Sequence, residues 1–130
     1  MILLLFIFIP YIFLAQEFRN NISDFKSDNS PPKNIDGYQL IWNDEFNYNG
    51  ATDPSKWTYE YGFIRNRELQ WYQPKNAICD NGLLIIEGRK EKVINPNYNP
   101  YSADWRAGNM YANYTSSCLI TKGINEWEPY

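Results

Sequence analysis

The sequence predicts an all-β domain, an antiparallel sandwich, and three observations predict it. Aromatic and apolar residues alternate with period two in YQLIW at 38–42 and KWTYEY at 56–61, the spacing of strands with one buried face. Asn81-Gly82 stands between the apolar runs of AICDNGLLIIEG and supplies the positive-φ pair of a tight hairpin turn. The stretch YTSSCLIT at 114–121 is rich in β-branched and aromatic residues, and no 3.6-residue periodicity rivals these signals.

Taken in order, the chain opens with MILLLFIFIPYIFLA, residues 1–15. The run is too short to cross a bilayer core of roughly 30 Å, and Ala15 closes it before polar residues, so it reads as a secretory signal peptide. A buried apolar helix or a membrane anchor is the competing reading. Residues 16–36 mix Asn, Ser, Asp and a Pro-Pro pair without period and read as a flexible linker. From residue 37 the strand pattern begins. In 38–42 the residues Tyr38, Leu40 and Trp42 share a face, and in 56–61 Trp57, Tyr59 and Tyr61 do. Residues 93–113 carry Pro and Asn at positions that exclude a central strand and are expected to form a long surface loop.

Composition excludes several functions. With no His in 130 residues, Ser/His and Cys/His catalysis is absent from this stretch and a zinc centre loses its commonest nitrogen ligand. A net charge of −3 without a basic patch argues against nucleic acid. Cys79 and Cys118 fit an oxidising compartment, as a disulfide or as two separate buried thiols. Asn21-Ile-Ser and Asn113-Tyr-Thr satisfy the pattern for N-glycosylation.

The segments LIWNDEFN, KWTYE, RNRELQWY, DNGLLIIEGRKE and YTSSCLITKG occur in one order and at characteristic spacing. In these the chain resembles glycoside hydrolase family 16, the secreted laminarinase-like β-glucanases and the related β-1,3-glucan-binding proteins. The resemblance implies a concanavalin-like β-jelly-roll sandwich, of which residues 37–130 would be the N-terminal portion, since such a fold needs roughly 200–250 residues to close. It also implies a β-glucan polysaccharide or oligosaccharide as partner, an extracellular location, no nucleic acid, and no membrane once the leader is cleaved.

Site residues follow from the same resemblance. The Asn of an Asn-x-Glu-x-Gln stretch contacts a glucose unit on the non-reducing side of the cleaved bond, and Asn66 holds that position. Asn66, Glu68 and Trp71 are therefore the candidate substrate-binding residues, with an amide to bridge vicinal hydroxyls and an aromatic face for the pyranose ring. The competing reading is a strand whose aromatics are core and whose Asn66 and Arg67 end a turn. Glu45 is the candidate ligand of a structural calcium, held by one carboxylate and backbone carbonyls; otherwise it sits in a solvated turn in which Asp44 caps backbone amides. No other cofactor is implied.

Adjacent Asp44 and Glu45 point to opposite faces of a strand, unlike the paired carboxyls of a retaining glycosidase, about 5–5.5 Å apart. Glu126 with Glu128, and Glu87 with Glu91, would share strand faces. Neither carries the family's catalytic Glu-x-Asp-x-Glu or Glu-x-Asp-x-x-Glu run, so no catalytic residue is assigned within these 130 residues. Many family members also have Arg where this chain has Cys118. The functional expectation is a retaining endo-β-1,3- or mixed-linkage glucanase as the full-length protein, with a non-catalytic β-1,3-glucan recognition protein as the alternative.

Overall fold

The computed structural model describes Ser30 and residues 33–128. The expected signal peptide at 1–15, most of the linker at 16–36 and the sequon at Asn21 lie outside the described residues. Eight short strands follow one another: β1 (Thr58–Tyr59), β2 (Gln70–Tyr72), β3 (Ala77–Asp80), β4 (Leu83–Ile86), β5 (Val93–Ile94), β6 (Tyr111–Ala112), β7 (Tyr114–Ser116) and β8 (Leu119–Ile120). A turn of 3-10 helix, Pro74–Asn76, sits between β2 and β3, with Pro where a helical N–H would have no acceptor. The strands pair as β1 with β8, β2 with β7, β3 with β4 and β5 with β6.

The hairpin forms where the Asn-Gly pair requires it. Asn81 and Gly82 take φ of 50° and 74°, and β3 and β4 pair in register from Ala77 opposite Ile86 to Asp80 opposite Leu83. Cys79, with no exposed surface, is also bonded on both sides of its peptide to Gly50, which brings residues 49–50 alongside. Both cysteines are free thiols, which settles the open question in favour of separate sulfurs.

Three expectations are corrected. The strand pairing is not antiparallel throughout, because β2 and β7 run parallel, with Gln70 opposite Tyr114 and Tyr72 opposite Ser116. A parallel pair needs a long crossover, and residues 73–113 provide it. The strand expected over 114–121 is two strands, because the chain changes neighbour at its middle. Ser116 still accepts from the Gln73 amide, whereas Cys118 accepts from Glu60, and β8 continues beside β1. Residues 38–42 form no strand. No described segment offers them a ladder; Tyr38 is 77% exposed and its amide closes a turn onto Ile35, while Trp42 packs edge-on against Trp57 and Trp127. Tyr61 likewise leaves the face of Trp57 and Tyr59 and lies exposed.

The long loop at 93–113 is closed at its base by β5 and β6. Buried Asn95 clamps it: Nδ2 donates to the carbonyls of Arg106 and Asn109 at 2.8 and 2.9 Å, and Oδ1 accepts from the Asn97 amide. Arg106 then donates through Nε and Nη2 to the Ile64 carbonyl at 3.1 and 2.8 Å, so the arm is fastened over the 61–65 segment.

Two buried polar clusters hold the remaining segments. Asp44 accepts from Tyr48 Oη and Trp57 Nε1, both at 2.8 Å, and from the Phe46 amide at 3.0 Å, with Lys56 Nζ at 3.5 Å. Its side chain is 2% exposed, so the solvated turn expected here is a buried anchor instead, although the backbone cap is present. Burial alone would raise the Asp44 pKa, but the donors from Tyr48, Phe46 and Trp57 and the charge of Lys56 outweigh it and hold the carboxyl below its ordinary value. In the second cluster, Asn76 Nδ2 donates at 2.9 Å to both the Glu87 carbonyl and Thr115 Oγ1, while its Oδ1 accepts from Gln73 Nε2 at 2.7 Å. Thr115 in turn donates to Glu91, which also receives Gln73 and Lys75. The cluster ties the 3-10 turn, the end of β4 and strand β7 together.

Candidate functional site

Strand β2 and the turn before it build the site. Glu68 N donates to Arg65 O at 3.2 Å, and the two central residues, Asn66 and Arg67, have φ of 56° and 52°. Two consecutive positive φ values mark a type I′ turn, which presents both side chains outward. Asn66 is exposed and makes no side-chain hydrogen bond among the described residues.

Beyond the turn, alternation takes over. Glu68, Gln70 and Tyr72 fall on one side and join: Tyr72 Oη donates to Glu68 Oε2 at 2.9 Å, and Gln70 Nε2 reaches both Tyr72 Oη at 2.8 Å and Glu68 Oε2 at 3.2 Å. Burial first, and then the bond to Glu68, push the Tyr72 hydroxyl above its ordinary pKa. Arg65 lies over the Tyr72 ring, 5.9 Å from its centroid, and forms an ion pair with Glu60. Its Nη1 also reaches Cys118 Sγ at 3.9 Å. Cys118 donates to Glu60, and that bond together with Arg65 holds the Glu60 carboxyl below its usual range. Burial pushes the Cys118 thiol up, so it is a poor nucleophile at neutral pH.

Trp71 points to the other side of β2. It packs edge-on against Phe63, centroids 5.5 Å apart, and lies against Gly62, whose Cβ, if present, would come within 3.3 Å of the indole. The structure therefore brings Glu68 together with Gln70, Tyr72, Arg65 and Glu60, and separates it from Trp71. Trp71 instead borders a hollow of about 510 Å³ with Tyr61, Asn97 and Arg106. Glu68 lines a different hollow of about 380 Å³, between the 65–68 turn and the 105–114 arm. Leu69 and Tyr114 are common to this hollow and to a neighbouring groove of about 570 Å³ bordered by Gln70, Arg89 and Ser116. The two together make an elongated depression across β2 and β7.

The carboxylates are suited to holding a ligand rather than to proton transfer. Glu60 is ion-paired, and Glu91 is held below its usual range by Thr115, against the effect of burial, with help from Lys75. A general acid needs the opposite, a raised pKa. Glu87 pairs with Arg89 across Gly88 while Glu91 is taken up by Gln73, Lys75 and Thr115, and residues 125–128 form no strand to align Glu126 with Glu128. At Glu45 the carboxylate is half-buried and accepts from Asn43 Nδ2 at 3.3 Å. Among the described residues, no group of three or more His, Cys, Asp or Glu comes together as a metal centre. A calcium there would rest on one carboxylate and backbone carbonyls.

Period-two alternation in ELQWY already separates Glu68, Gln70 and Tyr72 from Leu69 and Trp71. That signal would have found Gln70 and set Trp71 apart. Glu60 and Arg65 carried no signal of their own, since their meeting with Cys118 depends on the pairing of β1 with β8.

No family profile matches the chain. A β-glucanase of Rhodothermus marinus is 36% identical over 107 residues, which cover 78% of this chain and 30% of the relative. A solved structure described among endo-acting O-glycanases of human gut microbiota that initiate mucin breakdown is 37% identical, with a TM-score of 0.67, over 75% of this chain and 36% of that one. A non-specific endo-β-1,3(4)-glucanase of family GH16, co-crystallised with 1,3-β-D-cellotriosyl-glucose, is 34% identical with a TM-score of 0.51, over 79% of this chain and 39% of that one. The chain thus spans between 30% and 39% of the length of these relatives. Its five ordered segments, its all-β architecture and these likenesses agree, and the chain belongs to glycoside hydrolase family 16, the laminarinase-like β-glucanases.

Proposed function

We propose that the full-length protein is a secreted, endo-acting β-glucan hydrolase of the retaining type, and that this chain contributes part of the glucan-binding groove of its jelly-roll sandwich. The observation that carries the reading is the joined set Glu68, Gln70 and Tyr72 beside the elongated depression. A carboxyl group, an amide and a phenol offer both acceptors and donors to vicinal hydroxyls, and their mutual bonds fix the geometry before a sugar arrives. Asn66, unpaired at the tip of the turn, adds an amide at one end. The two reacting carboxyls of a retaining mechanism would come from residues outside this chain. Structural calcium at Glu45 belongs to the same proposal.

The relatives support β-glucan as substrate, and the gut O-glycanase makes mucin O-glycans the informative comparison. The test is reducing-sugar release by the purified full-length gene product from laminarin, mixed-linkage glucan and mucin O-glycans. Hydrolysis of laminarin or mixed-linkage glucan is the expected result. Tight glucan binding without hydrolysis would turn the reading to recognition, and cleavage confined to mucin O-glycans would overturn the substrate.

A further inference from the structure

We propose that the cleft between the 65–68 turn and the 105–114 arm is an accessory subsite for a sugar unit bearing an anionic substituent, a sulfate ester or a carboxylate, and that Arg67 selects it. The inference rests on the saccharide reading of the groove and adds a charge requirement to it.

Four arginines are described, and three of them are committed to carboxylates: Arg65 to Glu60, Arg89 to Glu87 and Arg106 to Asp104. Arg67 makes no ion pair and no side-chain hydrogen bond among the described residues, although Glu68 stands next to it. The Glu68 carboxylate is taken up by Gln70 and Tyr72. Arg67 nevertheless lines the cleft, with Trp105, Asn109, Tyr111 and Asn113 on the facing arm.

Its backbone makes the placement more telling. Arg67 holds φ of 52° at the second central position of a type I′ turn, where glycine is strongly preferred. The chain's other such turn uses Asn81-Gly82, so the preferred residue is employed where the turn is merely a connection. A strained residue persists where something else requires its side chain. What Arg offers over glycine here is a planar, permanently charged fork at the exposed rim of the cleft, and that fork matches the two oxygens of a carboxylate or sulfate.

The rest of the cleft suits a sugar carrying such a group. Asn109 and Asn113 present amides with no side-chain partner among the described residues, and Trp105 and Tyr111 add aromatic surface to the lining. Lys92 Nζ lies over one face of the Tyr111 ring, 3.8 Å from its centroid, so a cation stands behind that wall residue. A volume of about 380 Å³ accommodates a small ligand unit.

The experiment is isothermal titration of the full-length gene product with laminaritetraose, sulfated laminaritetraose and laminaritetraose bearing a terminal uronic acid, at low and at high salt. At low salt the anionic probes bind about tenfold tighter than the neutral one, and salt erodes the difference. The stronger of the two anionic probes identifies the substituent. Arg67→Gln and Arg67→Gly abolish the advantage of the anionic probes over the neutral one, and Arg67→Gly also raises the melting temperature by relieving the positive φ, so loss of selectivity cannot be loss of fold. Equal affinity for the three probes, or an advantage that survives in Arg67→Gly, overturns the inference. If the neutral probe fails while an anionic probe binds through Arg67, the subsite stands and the plain β-glucan reading falls. If none binds, both fall.

Discussion

Asn76→Ala should be the most damaging single truncation in the described part of the protein. The side chain is 1% exposed and its hydrogen-bonding capacity is spent on three bonds of 2.7 to 2.9 Å, to Gln73, Thr115 and the Glu87 carbonyl. Each bond contributes about 1 kcal/mol net, and stranding a buried acceptor or donor costs about 1–3 kcal/mol more, so the loss should reach about 4–6 kcal/mol. Asn76→Asp should be worse at neutral pH, since it sets an acceptor against the Glu87 carbonyl and a charge near Glu91. Urea unfolding of the full-length protein, followed by tryptophan fluorescence, measures both through the midpoint at constant slope. A loss below about 1 kcal/mol for Asn76→Ala would refute the reasoning, because it would mean that water replaces these bonds at no cost.

Asn66→Gly should weaken laminari-oligosaccharide binding by about 1–3 kcal/mol in titration calorimetry while preserving stability, whereas Asn66→Ala should also lose about 1 kcal/mol of stability because alanine resists the φ of 56°. Unchanged affinity for Asn66→Gly would make Asn66 a turn residue only. Asp44 titrates below its ordinary value in the fold, so the stability it lends is present above about pH 4 and is lost as pH falls toward the folded pKa. Asp44→Asn should flatten that acid limb in urea midpoints measured against pH, and an unaltered limb would place the titration elsewhere. If Glu45 holds calcium, a hundredfold excess over Kd stabilises the protein by about 2.7 kcal/mol and Glu45→Gln abolishes the gain. A melting temperature indifferent to calcium and chelator would remove the metal.

What could be read from the sequence was what local chemistry decides. Asn81-Gly82 defined a hairpin to the residue because its conformation depends on two φ angles, and the Glu68, Gln70, Tyr72 alternation was equally local. What could not be read was partner choice. YTSSCLIT has uniform strand character, yet it serves β2 in parallel and then β1 antiparallel, and nothing in its composition marks the change at Ser117–Cys118. The pattern at 38–42 is strand-like for the same local reasons but finds no ladder among the described residues. Asn95 looked like a loop residue because Asn is common in loops, and its burial depends on carbonyls eleven and fourteen positions away.

The parallel pairing of β2 with β7 has a kinetic consequence. Its partners, Gln70 and Tyr114, lie forty-four positions apart, while the β3–β4 hairpin between them closes over a two-residue turn. Such a hairpin forms in about 1–10 μs, whereas the distant pair must first meet the closure entropy of the whole crossover. The hairpin therefore shortens the effective loop before β7 can dock, and the Asn76 knot, which needs Thr115 of β7, closes with that docking. The groove across β2 and β7 is completed only with that late step, so the surface bordered by Gln70 and Ser116 is among the last described parts of the chain to take shape.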